Sequence, residues 1–293
     1  MRIIHLTDPH LSSLEGVKPT ALRGKRLLGY QSWYRRRRHQ YQRQALDQLV
    51  SAVQADAADL IVLTGDLVHI GLEAEFSQAS AWLQALGPPG RVRLVPGNHD
   101  CYQPDSWRAA CAAYAGYLAT GSETEPVGND PQSGFPGREV LGELTLITAN
   151  SSHPTPWWAA VGTLGAAQRA KIAELLDATA GTFRILALHH PPLPGSCARR
   201  KALTDAKACQ KLLTQGRPQL TLHGHLHRNI TLTMPYGRIY CTAAAGSVRA
   251  DAPASYRLFD ISRERAGWQV NMTLKCLGPD GVAVADRESY SLD

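Results

Sequence analysis

What this sequence lacks narrows its chemistry before any motif is read. Six cysteines, at 101, 111, 197, 209, 241 and 276, fall in 293 residues with no Cys-x-x-Cys spacing and no compact framework. Free or buried thiols in a reducing compartment are therefore expected. No apolar run approaches the roughly 20 residues a membrane-spanning helix needs. Met1 leads directly into the first apolar stretch, so no cleaved leader is expected, and the protein reads as cytoplasmic, peripheral on a membrane at most. No internal repeat is visible. One further absence is local: between Gly16 and Leu46 there is no acid.

Of the chain's 31 lysines and arginines, nine lie in that acid-free stretch: Lys18, Arg23, Lys25, Arg26, Arg35, Arg36, Arg37, Arg38 and Arg43. The remaining 22 face 25 acids, so the formal charge of +6 is concentrated in one place. Leu27, Leu28, Tyr30, Trp33 and Tyr34 are interleaved with these charges. Three readings follow. The aromatics could pack a helical hairpin onto the body while the charges are solvated. The segment, residues 23–38 above all, could lie on an anionic membrane surface. Nucleic acid is disfavoured, because charge and stacking residues are present but no module is recognisable.

Set against these absences are five short polar loops, each following a short apolar, β-rich run. They are Asp8-Pro9-His10, Gly65-Asp66, Gly97-Asn98-His99-Asp100, His189-His190 and Gly224-His225-Leu226-His227. Loops beyond the carboxyl ends of strands are where α/β sheets gather their ligands, so five of them can build one pocket. Its aspartates, asparagine amide and imidazoles offer oxygen and nitrogen without thiolate, which suits Mn, Fe or Zn better than Ca or Mg. Two aspartates, one asparagine amide and four imidazoles make seven such groups, too many for one tetrahedral ion. With one bridging aspartate they supply about four ligands to each of two ions, as two-metal phosphate ester hydrolysis requires. Alternation along an extended chain would let Asp8 with His10, and His225 with His227, face one cluster. The glycines at 65, 97 and 224 read as turn permissions that bring ligands close.

The ordered set Asp-x-His, Gly-Asp, Gly-Asn-His-Asp, His and Gly-His-x-His resembles the calcineurin-like metallophosphoesterases, from Met1 to about Gly246. The resemblance implies Asp8, His10, Asp66 and His227 on one metal and Asp66, Asn98, His189 and His225 on the other, with Asp66 bridging. It implies a catalytic role for His99 beside the metals, with Asp100 orienting it. His189 is preferred over His190 as the ligand. His69 is expected beyond the site, His5 as structural, and His223 behind the site or on a ligand's outer nitrogen. The runs His189-His190-Pro191-Pro192-Leu193-Pro194 and Gly162 to Gln168 look most like class III cyclic nucleotide phosphodiesterases and glycerophosphodiesterases. Pro9 departs from the family's frequent Leu and should stiffen its loop.

The resemblance also implies the fold: a four-layer α/β/β/α sandwich of two mixed sheets flanked by helices. Helices are expected near Tyr41–Ala55, Glu73–Leu86, Pro104–Tyr117, Ala166–Ala178 and Asp205–Thr214, with short strands after Gly216. One catalytic domain over 1–277, carrying the basic-aromatic insert at 16–46, and a polar tail at 278–293 complete the reading. For that tail a final strand and a homodimer contact are both open. The expected activity is a dinuclear phosphodiesterase, in which a hydroxide bridging the ions attacks phosphorus in line. The substrate would be a small-molecule or lipid phosphodiester. Lys25-Arg26-Leu27-Leu28-Gly29-Tyr30, followed by the arginine cluster, is also similar to inserts of phosphoesterases that cleave UDP-diacylglucosamine. A lipid-linked pyrophosphatase is therefore one alternative, and a non-catalytic membrane or nucleic-acid scaffold another. The Pro-rich loop Asn150–Trp158, with His153, could line a substrate cleft or lie on the surface.

Overall fold

In chain order, β1 (Arg2–Leu6) leads into the basic segment, where α1 (Lys25–Ser32) passes through a π-helical stretch (Trp33–Arg37) into the short turn α2 (Arg38–Gln40). There follow α3 (Arg43–Ala55), β2 (Leu60–Leu63), α4 (Glu73–Leu86), β3 (Val92–Leu94) and α5 (Pro104–Ala113). Next come β4 (Gly137–Leu141), β5 (Leu144–Thr148), α6 (Ala166–Ala178), β6 (Phe183–Ala187), α7 (Ala206–Gly216) and β7 (Leu220–His223). The remainder is all strand: β8 (Ile230–Met234), β9 (Gly237–Cys241), β10 (Val248–Arg249), β11 (Ala252–Pro253), β12 (Ser255–Glu264), β13 (Gly267–Gly278) and β14 (Gly281–Leu292). This computed structural model describes residues 1–11, 13–118, 130–131, 133–265 and 267–292. Most of the irregular loop expected between Gly121 and Gly137, and also Asp293, therefore lie outside the described residues.

Two six-stranded mixed sheets result, ordered β14-β13-β12-β1-β2-β3 and β4-β5-β6-β7-β9-β8. In the first, β1, β2 and β3 are parallel and β12 to β14 are antiparallel. In the second, β5, β6, β7 and β9 are parallel, with β4 and β8 antiparallel at the edges. Side chains alternate across a strand, and the alternation divides the core. Ile3, Leu60 and Val62 share one cluster with Ile185, Leu220 and Phe259, between the sheets. Their neighbours Ile4, Ile61 and Leu63 face outward onto Leu49, Phe76 and Leu83 of α3 and α4. On the other sheet, Ile147, Leu186 and Ile239 face Ile172, Leu176 and Leu213 of α6 and α7. Each such residue, fully buried, contributes roughly 1.5–3 kcal/mol of transfer free energy. The expected four layers are present, and both outer faces are sealed by helices.

The insert is seated on this body. Trp33 is buried with Leu14, Ile70 and Tyr102. Arg26 donates to the carbonyls of Ile70 and Gly71 and pairs with Asp105. Gly29 packs so closely that an added Cβ would lie 2.3 Å from the Tyr102 hydroxyl. Packing therefore accounts for Trp33, whereas Leu27, Leu28 and Tyr34 remain exposed. No helix among the described residues is long and apolar enough to cross a membrane.

Candidate metal centre

The carboxyl ends of parallel strands lie side by side, so the loops after β1, β2 and β3 converge, and so do those after β6 and β7. Hydrogen bonds then join the two groups. His225 N donates to Asp8 Oδ2 at 3.0 Å, Gly224 N to the His189 carbonyl at 3.1 Å, and His189 Nδ1 to the Thr64 carbonyl at 2.7 Å. Two glycines allow the approach. A Cβ on Gly97 would lie 2.2 Å from Asp66 Oδ1, and one on Gly224 would lie 1.9 Å from Thr7 Oγ1.

Backbone conformation marks the same loops. Among the described residues seven non-glycines have positive φ, and five of them are Asp8, His10, Asp66, His225 and His227. Such conformations cost about 1–3 kcal/mol each and persist where the surroundings impose them, commonly at functional sites. They also correct the alternation argument. Asp8 and His10 have φ of 49° and 44°, so they leave the strand in left-handed turns and are brought together by curvature. His225 and His227, at 68° and 53°, point into different groups rather than one.

Those groups are two. Asp8, His10, Asp66 and His227 place one ligand atom each within 4.8 Å of one another, and Asp66, His189 and His225 do the same. Asp66 belongs to both. Asn98 Oδ1 lies 3.2 Å from His189 Nε2, at the edge of the second group. His10 Nδ1 faces the Val68 carbonyl at 3.2 Å, and His189 Nδ1 faces that of Thr64. A carbonyl only accepts, so each ring holds a proton on Nδ1 and turns Nε2 inward, the nitrogen that a metal would take once it is unprotonated. His10 Nε2 and His225 Nε2 are buried without any hydrogen-bond partner. Buried polar atoms are normally satisfied, and one cation in each group would satisfy the orphaned nitrogen of that group. The donor set therefore fits two metal ions.

Electrostatics agree. Burial holds the His10 and His225 imidazoles well below their usual range, hence neutral, which is the ligating form. Burial also pulls on His189, but the adjacent Asp66 carboxylate more than offsets it, and the ring is pushed up to about 9. Asp8 is held below the usual carboxylate range, burial opposing and His227 prevailing. Its Oδ1 lies 3.0 Å from His227 Nε2.

His99 lies beside the groups, its Nε2 4.0 Å from Asp66 Oδ2. Its Nδ1 contacts the His69 carbonyl, and its Nε2 accepts from the Arg37 guanidinium at 2.9 Å. Burial first, and Arg37 second, keep it neutral. Asp100 does not orient this ring. Its carboxylate accepts from the amides of Gly97, Asp66 and Leu67 and from the Tyr114 hydroxyl, fixing the two loops together. The His69 carbonyl has the orienting place expected of Asp100, because the loop after Asp66 is folded back by Glu75, which accepts from the amides of His69, Ile70 and Leu72. His69 itself stacks on His10, with centroids 5.0 Å apart. His5 bridges Thr64 and Thr242, and His190 is held by Ser151. His223 contacts the Gly224 carbonyl rather than a ligand's outer nitrogen.

Two contacts from the insert were not expected. Besides Arg37 on His99, the Tyr41 hydroxyl lies 2.5 Å from His227 Nδ1. Arg37 and Tyr41 stand 62 and 186 residues from the histidines they meet. Their one signal in the sequence was membership of the acid-free stretch.

Residues 1–229 match the model of the calcineurin-like phosphoesterase family. The chain is 28% identical over 183 residues to the glycerophosphodiester phosphodiesterase GpdQ of Enterobacter lignolyticus, an alignment covering 60% of this chain and 58% of the relative. It is 26% identical over 229 residues to a protein of Synechococcus named as a probable cyclic nucleotide phosphodiesterase, covering 76% and 73%. Among solved structures it is similar to the purple acid phosphatase PPD1 of yellow lupin, with a TM-score of 0.58 and 13% identity over 100% of this chain and 54% of that one. That last likeness concerns the fold alone.

Proposed function

The chain belongs to the calcineurin-like phosphoesterases, as its five loops led us to expect, and from that premise we propose that it hydrolyses phosphodiesters with a dinuclear metal centre. The ligands would be Asp8, His10, Asp66, Asn98, His189, His225 and His227. One observation carries this reading: a single carboxylate, Asp66, is common to two ligand groups that contain buried nitrogens without partners. Mixed oxygen and nitrogen donors suit Mn, Fe or Zn. When bound, such ions polarise phosphate oxygens and lower the pKa of water from ~15.7 toward ~7.

The chain's own residues do the rest. Asp100 and the glycine-permitted turns hold the ligand loops in register. His99, locked by the His69 carbonyl, offers Nε2 beside Arg37, so an imidazole and a guanidinium stand together where an anionic ester would enter. Arg37 neutralises a phosphate oxygen, and with His99 beside it stabilises the negative charge that develops as the alkoxide departs. A diester preference is supported by the names of both sequence relatives, the first of which is aligned over little more than half its length.

Turnover of bis(p-nitrophenyl) phosphate and p-nitrophenyl phosphate by the Mn(II)-reconstituted protein tests the reading. The diester should be the better substrate, and Asp66→Ala should lose both metal and activity, by at least about 10⁴-fold. Equal turnover by Asp66→Ala would end it. A second reading, cleavage of a lipid-linked diphosphate, is favoured by one feature: Leu28, Trp157 and Trp158 line the cleft beside His99 and are exposed.

A further inference from the structure

The cleft beside His99 has a volume of about 230 Å³, and its lining contains no acidic residue. Four cations line it: Lys25 and Arg37 from the insert, and Arg200 and Lys201 from the loop after β6. Among the described residues none of the four has a carboxylate within 4.0 Å, although Arg26, Arg93, Arg169 and Arg238 elsewhere in the chain all do. Lys25 Nζ donates only to neutral oxygens, the Tyr102 carbonyl at 3.2 Å and Thr155 Oγ1 at 3.0 Å. Burial brings it down to about 8, with Asp66 acting against that. Holding like charges together without counter-ions costs free energy unless a ligand neutralises them.

A diester's scissile phosphate carries one negative charge, and Arg37 with the metal ions already answers it. Lys25, Arg200 and Lys201 are then in excess. The hydrogen bond from Ala160 N to the Arg200 carbonyl, 2.8 Å, ties the arginine-lysine turn to the loop bearing Trp157 and Trp158. Those indoles are 64% and 60% exposed, with ring centroids 5.4 Å apart. Apolar surface of that size beside unpaired cations is a recognition feature rather than core.

We propose that this cleft binds a second phosphate, so that the substrate is a phosphodiester whose ester substituent itself carries a phosphate, with Trp157 and Trp158 contacting the carrier of that phosphate. The proposal rests on the phosphodiesterase reading and narrows its substrate class. In the reaction, water's oxygen bonds to the diester phosphorus, the bond to the ester alkoxide breaks and the alkoxide takes up a proton. The second phosphate is unchanged and serves as a handle.

Two substrate pairs, each differing only in that handle, test it. The dinucleotide ApA gives AMP and adenosine, and its 5′-phosphorylated form pApA gives only AMP. Phosphatidylglycerol and phosphatidylglycerol phosphate, dispersed in detergent, form the lipid pair. The expected result is a KM lower by about tenfold or more for the phosphorylated member of a pair, as charge-assisted hydrogen bonds to one phosphate provide. The Arg200→Ala/Lys201→Ala protein should lose most of that difference. A preference in the nucleotide pair assigns a nucleotide carrier, and one in the lipid pair a lipid carrier. Equal KM within both pairs overturns the proposal. Indole fluorescence of the metal-free protein, titrated with ADP and with adenosine, reads the same contact without turnover. ADP should bind about tenfold tighter than adenosine, and equal binding overturns the proposal even if bis(p-nitrophenyl) phosphate is hydrolysed. Loss of bis(p-nitrophenyl) phosphate hydrolysis with ADP selectivity intact would instead sink the phosphodiesterase reading.

Discussion

The ligand pocket and the insert beside it solve opposite electrostatic problems. In the pocket, His10 and His225 are buried and neutral, their Nε2 atoms are left without partners, and five of the proposed ligands sit at positive φ. In the cleft that the insert borders, four cations have no carboxylate partner among the described residues, and Leu28, Trp157 and Trp158 stay exposed. The pocket is under-supplied with cations and the cleft is over-supplied. On the readings proposed above, a metal would answer the first and an anion the second, making the two regions adjoining halves of one site. Neither half would be stable filler in a protein that only packed.

The comparison can first be pressed on the pocket by acid. His5, His10, His69, His99, His190, His223 and His225 all have folded pKa values pushed below 6.5 by burial, His69 to about 3 and His223 to about 4. Such a ring takes up its proton only on unfolding, so stability falls as pH drops below 6.5. His189 works the other way: raised to about 9, it stabilises below 6.5 and that contribution fades as pH rises through 9. The lowered rings outnumber it. At up to about 1.4 kcal/mol per pH unit each, His69 and His223 alone remove roughly 3 kcal/mol between pH 6.5 and 5. Urea midpoints of the metal-free protein should fall steeply over that range. A flat profile would mean that these rings are not held neutral.

A smaller effect, confined to the boundary between the halves, is expected of His99→Ala. Metal content by elemental analysis should be retained while kcat on a diester drops about 10²–10⁴-fold. Loss of metal with loss of activity would place His99 inside the pocket instead of beside it.

The pocket was legible in the sequence because each ligand must follow a strand, and short apolar runs ending in Asp or His reveal both facts at once. All seven expected ligand positions lie at the two groups or at their edge. Extended chain is the expectation from sequence at Asp8 and His225, and left-handed turns replace it because glycine-permitted contacts between loops set them. Asp100 was misread for a related reason: three backbone amides converge on it, and no pattern of side chains announces that. The strand β4 was not anticipated. β14, one of two readings left open for the tail, forms an edge strand whose polar residues hide the alternation.

The insert was legible only as composition. Reading Arg35 to Arg38 as one charge cluster merged residues that the fold separates. Arg35 and Arg36 are exposed, Arg37 meets His99, and Arg38 lies 3.8 Å over the Tyr34 ring. Direction along a helix and the contact across 62 residues make that division, and neither is local. Arg37→Ala should therefore lower kcat/KM on a diester by about 1.5–3 kcal/mol, roughly 10–150-fold, the worth of a charged hydrogen bond. Arg36→Ala should stay within about twofold. Equal losses would mean that the segment acts through its bulk charge.

Tyr41 tests whether the two halves are coupled through a ligand. Its hydroxyl meets His227 Nδ1 at 2.5 Å, while Nε2 of the same ring faces Asp8 Oδ1 at 3.0 Å. Burial pushes the phenol pKa upward, so it stays protonated. A phenol can donate to Nδ1 when Nε2–H bonds Asp8, and it can accept from Nδ1–H when Nε2 is needed as a ligand. Phenylalanine can do neither, and losing the outer partner of a ligating histidine costs 10–100-fold in metal affinity. Tyr41→Phe should need about tenfold more Mn(II) for half-maximal activity and recover near-parent kcat at saturation. A kcat that stays low at saturating metal would show instead that the insert's tyrosine acts on the substrate, and the boundary between pocket and cleft would have to be drawn on the other side of His227.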